Sequence, residues 1–277
     1  MPIFASVDVS TGISAVIITH NEGANIARCI KSVIDLVDEV LVVDSFSSDN
    51  TCEIAVNEGA RVIQHDFEGH IQQKNWAKDQ AAHHWVLSLD ADECLSDELR
   101  ENLRNAINNG LYYGQTKGFS FSRLNHLADR PIRGCGWYPD TKLRLWDRRC
   151  GTWAGRNPHD KFVIPSKYPI NKMKGDILHY TYADLAAVKA QALKFGRIGG
   201  RAIQSELVDS SGLPVRNQLT FAFLLFKLFT AGPARFIRNY LFKRGWMYGY
   251  SGIVICYWQM VEVTLKYGWA LFGKRQS

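Results

Sequence analysis

Short runs of β-branched and other apolar residues alternate with stretches of helical periodicity along the first hundred positions. Runs of this length between polar loops are typical of strands that a sheet buries on both faces. The alternation therefore predicts an α/β domain with a mostly parallel central sheet covered by helices on both faces. The predicted strands are Ile13–Thr19, 39–43, Arg61–Gln64 and 85–89, and the predicted helices begin near Ile26 and Thr51 and span 71–83.

Polar and acidic residues follow three of these strands at the point where each strand ends. In parallel sheets, ligands bind beyond the carboxyl ends of the strands, so these side chains are expected to line one site. Neighbouring carboxylates destabilise one another unless a cation or hydrogen bonds offset their charge. The stretch 90–93 therefore predicts either a divalent metal site or an ordinary polar turn before a helix. The strand-end residues are Thr19, Asn21 and Glu22 after the first strand, Asp44 after the second, and Asp90, Ala91, Asp92 and Glu93 after the fourth.

The pattern changes after about residue 110, where a basic stretch over 130–146 contains Gly136 and Trp137. Glycine permits close approach of the backbone to a phosphate group, and tryptophan can stack on a ring of a ligand. A solvated basic hairpin and a buried tryptophan are the alternatives. The bases that could meet phosphates are Arg130, Arg133, Lys142 and Arg144. The predicted elements of this part are strands at 118–122, 142–146 and 174–180 and a helix over 183–207.

The charge of the chain is unevenly distributed. The net charge is +6 over 277 residues, yet residues 215–277 carry nine lysines and arginines against the single acid Glu262, a net +8. The remainder is slightly acidic, which argues against a nucleic-acid partner. Apolar helices are predicted at 219–229 and 253–263, and Pro233 is expected to open a separate segment. No clean apolar run reaches the roughly 18–20 residues that span a bilayer. The tail therefore predicts peripheral attachment to a membrane surface, and the alternative is that its helices pack on the catalytic domain as ordinary core or form a dimer interface.

Six cysteines are scattered without a CxxC pair, which is typical of reduced thiols in a cytosolic protein rather than of disulfides or a zinc site. The first residues, MPIFASVDVSTG, lack a basic segment followed by an apolar core, so no secretory signal is expected. These features predict a cytoplasmic location. The shift in composition divides the chain into a catalytic domain over 1–207, with an N-terminal extension over 1–12, and a helical region over 208–277.

Three segments taken together resemble the family 2 inverting glycosyltransferases with the GT-A fold: ISAVIITHNE at 13–22, VVDSFSSDNT at 42–51 and LSLDADE at 87–93. Further along, WAGRNPHDKF at 153–162 and ILHY at 177–180 are similar to the segments that carry an acceptor-side acid and a C-terminal histidine in that family. The resemblance covers residues 12–205. Within the family, the chain most resembles bacterial enzymes that add sugars to lipopolysaccharide core or other lipid-linked surface glycans.

The resemblance implies a role for each polar residue at the strand ends. Asp92 would bind Mn²⁺ or Mg²⁺ directly, and His179 would complete the metal shell. Asp90 would contact the ribose or support the metal through water. Asp160 would be the general base that accepts the proton of the acceptor hydroxyl. The residues assigned to the nucleotide-sugar pocket are Thr19, Asn21, Glu22, Asp44, Asp90 and Ala91, and with them we place Gly136 and Trp137.

Several polar residues have a structural interpretation instead. Glu93 is assigned to the start of a helix, where the helix dipole favours a carboxylate, and Asp49 to capping the helix that begins near Thr51. Four of the residues given a role in the site could instead serve the fold alone. Asp160 could form an ion pair with Lys161, Arg156 or another base, and His179 could be structural. Asn21 could form a turn, and Glu22 could be a solvated charge in a loop.

The implied function is metal-dependent transfer of a sugar, with inversion, from a nucleotide sugar such as a UDP-sugar to a lipid-linked glycan such as lipopolysaccharide core. The enzyme would work peripherally on the inner face of the cytoplasmic membrane. A sugar-phosphate nucleotidyltransferase is one alternative, but HNEGANIARC after the first strand lacks the glycine-rich basic loop that such an enzyme needs. A membrane-bound scaffold without activity is the second alternative. The intact carboxylates Asp44, Asp90, Asp92 and Asp160 argue against it.

Overall fold

The computed structural model describes residues 12–156, 159–206 and 218–273. These residues form two compact units. The first lies within 1–124 and 139–180, and the second within 125–138 and 181–277. Residues 1–11 of the expected N-terminal extension, Asn157 and Pro158 of the segment at 153–162, and the start of the expected C-terminal region lie outside the described residues.

Four parallel strands form one half of the main sheet of the first unit, in the order β3-β2-β1-β4. All four predicted strands are confirmed, and two of them extend by one residue to include Asp44 and Asp90. In the pairing register, Thr19 lies opposite Asp44, and Ile18 lies opposite Asp90. The three predicted strand ends therefore meet at one edge. The strands are β1 (Ile13–Thr19), β2 (Glu39–Asp44), β3 (Arg61–Gln64) and β4 (Trp85–Asp90).

The remaining strands make the sheet mixed rather than mostly parallel. Strand β8 pairs antiparallel with β4 and β6, and β11 pairs antiparallel with β5, while β9 and β10 form a separate two-stranded sheet. Antiparallel strands can be joined by short connections, but the chain between the first two strands of this half still forms the helix Asp97–Asn108. The strands are β5 (Glu93–Leu95), β6 (Gly118–Leu127), β7 (Arg130–Pro131), β8 (Asp140–Asp147), β9 (Thr152–Arg156), β10 (His159–Val163) and β11 (Ile170–Tyr182).

Three of the four helices of the first unit pack on an apolar core in which residues such as Ile17, Leu87 and Leu99 are fully buried, and the third helix in the chain packs on a second core through Ala77. The assignment of Glu93 to a helix start is wrong, because Glu93 begins the short strand β5. The next helix starts at Asp97, where the Ser96 hydroxyl accepts a hydrogen bond from the Leu99 N–H. The helices are α1 (Ile26–Lys31), α2 (Thr51–Asn57), α3 (His70–Asp79) and α4 (Asp97–Asn108).

Three long helices make up most of the second unit: α5 (Leu185–Glu206), α6 (Gln218–Ile237) and α7 (Gly249–Phe272). A Cβ added at Gly196 would lie 2.8 Å from the Leu265 Cβ, so glycine allows α5 and α7 to approach closely. The structure thus groups α5 with the C-terminal helices, whereas the composition of the sequence places it in the first domain. The division of the chain into functional domains over 1–207 and 208–277 stays a prediction.

Helix α6 differs from the prediction in two respects. Pro233 lies inside the helix rather than opening a new segment. The stretch Thr220–Phe242, which continues through a π-helical turn, has 23 residues, and an 18-residue part of it has a mean hydropathy of 1.3 and is 11% buried. By length and composition it could cross a membrane. Because Lys227 and Arg235 interrupt it, the stretch is still not a clean apolar run of the roughly 18–20 residues that span a bilayer.

Candidate active site

The loop after β2 is built around Asp44. This fully buried carboxylate accepts hydrogen bonds from the Ser47 N–H (2.8 Å), from the Ser47 hydroxyl and from Gln64 Nε2 (3.2 Å). Burial raises the pKa of Asp44, but these hydrogen bonds outweigh it and hold the pKa below its usual value. Asp44 is thus an ionised anchor for its own loop, and its contact with a nucleotide stays a prediction.

The loop after β1 is tied to the loop after β2 through Asn21. Its backbone N–H donates to the Ser47 hydroxyl (2.8 Å), and its side-chain oxygen accepts from the Ser48 N–H (2.8 Å). Asn21 has a φ of 55°, a left-handed conformation that asparagine tolerates better than most residues. The turn-forming role is therefore present. Asp49 acts as expected, because its carboxylate accepts from the Thr51 N–H at the start of α2 (3.0 Å).

Glu22 lies close to the acidic end of β4. Burial raises its pKa, a hydrogen bond from Asn25 (2.8 Å) opposes this effect, and the charges of Asp92 and Asp90 raise the pKa further. This electrostatic interaction shows that Glu22, after the first strand, lies near Asp90 and Asp92 at the end of the fourth, as the sequence predicts. Thr19, at the end of β1, has a buried hydroxyl oxygen with no hydrogen-bond partner within the described ranges. Contact of Thr19 with a nucleotide stays a prediction.

Asp90 is held between two cations of the protein. Its Oδ1 lies 3.1 Å from Lys74 Nζ on α3, and its Oδ2 lies 2.9 Å from Arg144 Nη2 on β8. Burial raises the pKa of Asp90, but the positive charges of Lys74 and Arg144 outweigh it and hold the pKa well below its usual range. Asp90 is therefore ionised at neutral pH, with its charge offset by side chains.

Glu93 is the second carboxylate of this group, and its side chain is fully buried. It accepts from the Asp90 N–H (3.0 Å) and from Arg144 Nη2 (2.8 Å), and Arg123 Nη1 lies 3.3 Å away. Arg144 was a candidate phosphate ligand by sequence, but its Nη2 forms these internal ion pairs. Its Nε and Nη1 are buried and have no hydrogen-bond partner among the residues that the structure describes.

These contacts form a salt-bridge network in which the formal charges balance. The negative members are Asp90, Glu93, Asp140 and Asp160, and the positive members are Lys74, Arg123, Lys142 and Arg144. The stretch 90–93 predicts a cation between its carboxylates. For Asp90 and Glu93, the protein itself supplies that cation.

Asp92 forms a separate contact with the second predicted metal ligand. Its Oδ2 lies 3.2 Å from Nε2 of His179, which is on β11 opposite Glu93 in the pairing register. One carboxylate oxygen and one imidazole nitrogen at this distance fit a divalent cation that takes its remaining ligands from substrate phosphates and water. No third histidine, cysteine, aspartate or glutamate completes a metal cluster with them in the described part of the chain.

Asp160 is joined to the network by Lys74, which the sequence analysis missed. Lys74 Nζ lies 2.9 Å from Asp160 Oδ2, and the exposed fractions of the two side chains are 7% and 10%. The ammonium group also lies 4.7 Å from the ring centroid of Trp153. The ion pair expected as the alternative for Asp160 therefore exists, but its partner is a buried lysine that also contacts Asp90.

Lys74 lies on a face of α3 that buries Gln73 and Ala77 as well. Apolar periodicity could not reveal this face, because two of its three residues are polar.

Gly136 and Trp137 belong to the second unit. Gly136 has a φ of 73°, and the Trp137 ring stacks on Tyr182 with centroids 4.8 Å apart. Their contact with the donor stays a prediction.

Replacing Lys74 by methionine is expected to raise the pKa of Asp90, because the largest charge that lowers it is removed. A carboxylate with a lowered native pKa stabilises the fold above its unfolded pKa, and this stabilisation is lost as pH falls through the native pKa. Acid unfolding of Lys74→Met should therefore begin at higher pH than in wild type, as followed by circular dichroism. Lys78→Met, which removes a pairing with the exposed Asp79, is the control. Identical acid transitions would contradict the expected coupling.

Comparisons with known proteins place this site in a family. The model for glycosyl transferase family 2 matches residues 14–185. The chain therefore belongs to glycosyl transferase family 2 and is a transferase enzyme. An uncharacterized glycosyltransferase of Rickettsia prowazekii is 48% identical over 263 residues, covering 87% of this chain and 80% of that protein.

Two further relatives either have a lower sequence identity or match a shorter part of the chain. The lipopolysaccharide core biosynthesis glycosyltransferase LpsC of Rhizobium meliloti is 26% identical over 252 residues, covering 87% of this chain and 85% of that protein. An uncharacterized glycosyltransferase of Rickettsia felis is 50% identical over 91 residues, and the match spans 33% of this chain and 32% of that protein.

A solved structure is similar to most of the chain. The mannosyltransferase of Pyrobaculum calidifontis, in complex with GDP-Man and Mn²⁺, has a TM-score of 0.52 and 16% identity, covering 93% of this chain and 87% of that chain. The similarity confirms the expected GT-A fold.

Proposed function

We propose that this glycosyltransferase transfers a sugar, with inversion, from a nucleotide sugar such as a UDP-sugar to a lipid-linked glycan such as lipopolysaccharide core, and that it depends on a divalent cation. The pairing of Asp92 with His179, beside a network whose charges already balance, carries the proposal. A bound Mn²⁺ or Mg²⁺ would supply Lewis-acid neutralisation of the departing diphosphate. The name of the Rhizobium meliloti relative supports lipopolysaccharide core as the acceptor class.

The protein groups have distinct roles in the proposed reaction. Asp92 and His179 would hold the cation. Asp160 would accept the proton of the acceptor hydroxyl. The oxygen of that hydroxyl would bond to the anomeric carbon of the sugar as the bond from this carbon to the diphosphate breaks. Lys74, between Asp160 and Asp90, would keep the base in place. Thr19, Asn21, Glu22, Asp44, Asp90 and Ala91 would line the nucleotide pocket.

Calorimetric titration with UDP, GDP, ADP and CMP, each with Mn²⁺ and with EDTA, tests the donor and the metal together. One nucleoside diphosphate is expected to bind in the presence of Mn²⁺, and EDTA or the Asp92→Asn substitution should abolish that binding. Asp79→Asn, at an exposed position, should bind as wild type does. Metal-independent binding would contradict the role of Asp92, and no binding of any nucleotide by folded protein would contradict the proposed donor class.

The proposed location is the inner face of the cytoplasmic membrane, reached through α6. Several phenylalanines of this helix are exposed, including Phe226 (61%) and Phe229 (69%), with Lys227 among them and Arg238 directly after the helix. Exposed apolar side chains with interleaved bases favour insertion into the interface of an anionic bilayer. The alternative is that a second copy of the chain covers the same face of α6 in a homodimer.

A double substitution, Phe226→Ser with Phe229→Ser, is expected to weaken binding to vesicles of anionic phospholipid at least tenfold. Each buried phenylalanine contributes about 1.5–3 kcal/mol of transfer free energy. Flotation of vesicles measures the effect, and Tyr113→Ser, at an exposed residue of the first unit, is the control. Unchanged flotation of the double variant, or a concentration-dependent dimer in sedimentation without any vesicle binding, would contradict the membrane proposal.

A further inference from the structure

A pocket of about 60 Å³ lies within the second unit and is lined by residues of α5, α6 and α7. Its apolar wall is aromatic. The Trp137 and Tyr182 rings stack with centroids 4.8 Å apart and planes inclined by 15°, and Trp258 of α7 also lines the pocket. Stacked rings form a flat and rigid surface that a small ligand can contact without ordering further side chains.

The opposite side of the pocket is polar. Arg235 Nη1 lies 3.7 Å from Glu262 Oε1, a loose ion pair in which both side chains are about one third exposed. The Nε atom of Arg235 is buried and has no hydrogen-bond partner within residues 12–156, 159–206 and 218–273. Gln259 is almost fully buried, and its side-chain oxygen accepts a hydrogen bond from Asn239. The pocket therefore combines aromatic rings with both donors and acceptors.

We propose that this pocket binds a neutral pyranose residue of the acceptor glycan, an inference that rests on the proposed glycosyltransferase function. Aromatic rings contact the apolar face of a pyranose, while its hydroxyl groups can donate to Glu262 and accept from Arg235. Because the two charges offset one another, an anionic group would gain little from Arg235 and would be repelled by Glu262. A ligand with several hydroxyl groups and no charge fits both partners.

Simple core packing does not account for these features. A buried guanidinium nitrogen without a partner is rare in folded proteins and calls for an acceptor. A cavity needs about 10–15 Å³ to hold a single water, so the pocket has room for several water-sized groups. That space suits one edge of a sugar ring rather than a long chain or a nucleotide.

Saturation-transfer NMR on the full chain tests the proposal with three probes: methyl β-D-glucopyranoside, methyl β-D-galactopyranoside and methyl α-D-mannopyranoside. At least one is expected to receive saturation, and Arg235→Met and Glu262→Gln should each lower its affinity about tenfold, as for the loss of a hydrogen bond to a charged group. Glu262→Gln preserves the shape of the side chain, so it reports on binding even if Arg235→Met is poorly folded. Arg201→Met, at an exposed base on α5, is the control.

Several outcomes would overturn the inference. They are the absence of saturation for all three glycosides, equal affinity of wild type and Glu262→Gln, and tighter binding of methyl β-D-glucuronide than of the neutral glycosides. Displacement of the glycoside by a nucleoside diphosphate with Mn²⁺ would also overturn it, because the glycoside would then occupy the donor site. Nucleotide binding measured on the same sample separates the two proposals. If nucleotides bind but glycosides do not, only the pocket inference fails.

Discussion

Replacing Arg144 by methionine is expected to lower the free energy of unfolding by about 3 kcal/mol. Arg144 is buried and contacts Asp90 and Glu93 through one nitrogen, and the side chain of Glu93 is fully buried. Removing one partner of a buried ion pair leaves the remaining charge without compensation, at a cost of about 3–5 kcal/mol. The lower end is expected because Lys74 still contacts Asp90, and Arg123 still faces Glu93.

Urea denaturation followed by circular dichroism measures this effect. Arg104→Met is the matched control, because Arg104 forms ion pairs with Asp35 and Glu101 at the surface of the first unit, where such pairs contribute about 0–1 kcal/mol. A similar loss of stability in the two variants would show that Arg144 does not offset buried charge. Arg144→Lys should recover only part of the stability, since lysine cannot present the planar guanidinium geometry.

Asp160→Asn is expected to lower kcat by about 10²–10⁴-fold, the contribution typical of a positioned general base. The amide cannot accept the proton of the acceptor hydroxyl. Release of the nucleoside diphosphate in the presence of extracted lipid-linked glycans provides the assay. The dissociation constant of the nucleotide should change little, because Asp160 acts on the acceptor in the proposed reaction.

Two comparisons make the Asp160 prediction specific. Asp35→Asn also removes an ion-paired carboxylate, from Arg100 and Arg104 at the surface, and should retain wild-type turnover. Lys74→Met should lower kcat less than Asp160→Asn does, because it displaces the base without removing it. If Asp160→Asn retains wild-type kcat, Asp160 is only an ion-pair partner of Lys74, and the base lies elsewhere.

The sequence by itself determined the four parallel strands and the meeting of their polar ends. Strand positions follow from local runs of β-branched residues, and the parallel arrangement follows from the helices between them. The polar segments after three of these strands, taken together, carried the resemblance to the family that the comparisons confirm. The pairing of Asp92 with His179 was expected only through that resemblance, because the two residues are far apart in the chain.

Tertiary structure decided which charges meet. Lys74 and Asp160 are 86 positions apart, and Arg144 is 54 positions from Asp90, so no local pattern indicates either contact. The Arg144 contact requires β8 to pair antiparallel beside β4, and the Lys74 contact requires a polar face of α3 to be buried. Periodicity reports which residues share a face of one element. It does not report strand order or register, and these determine the partner of a buried charge.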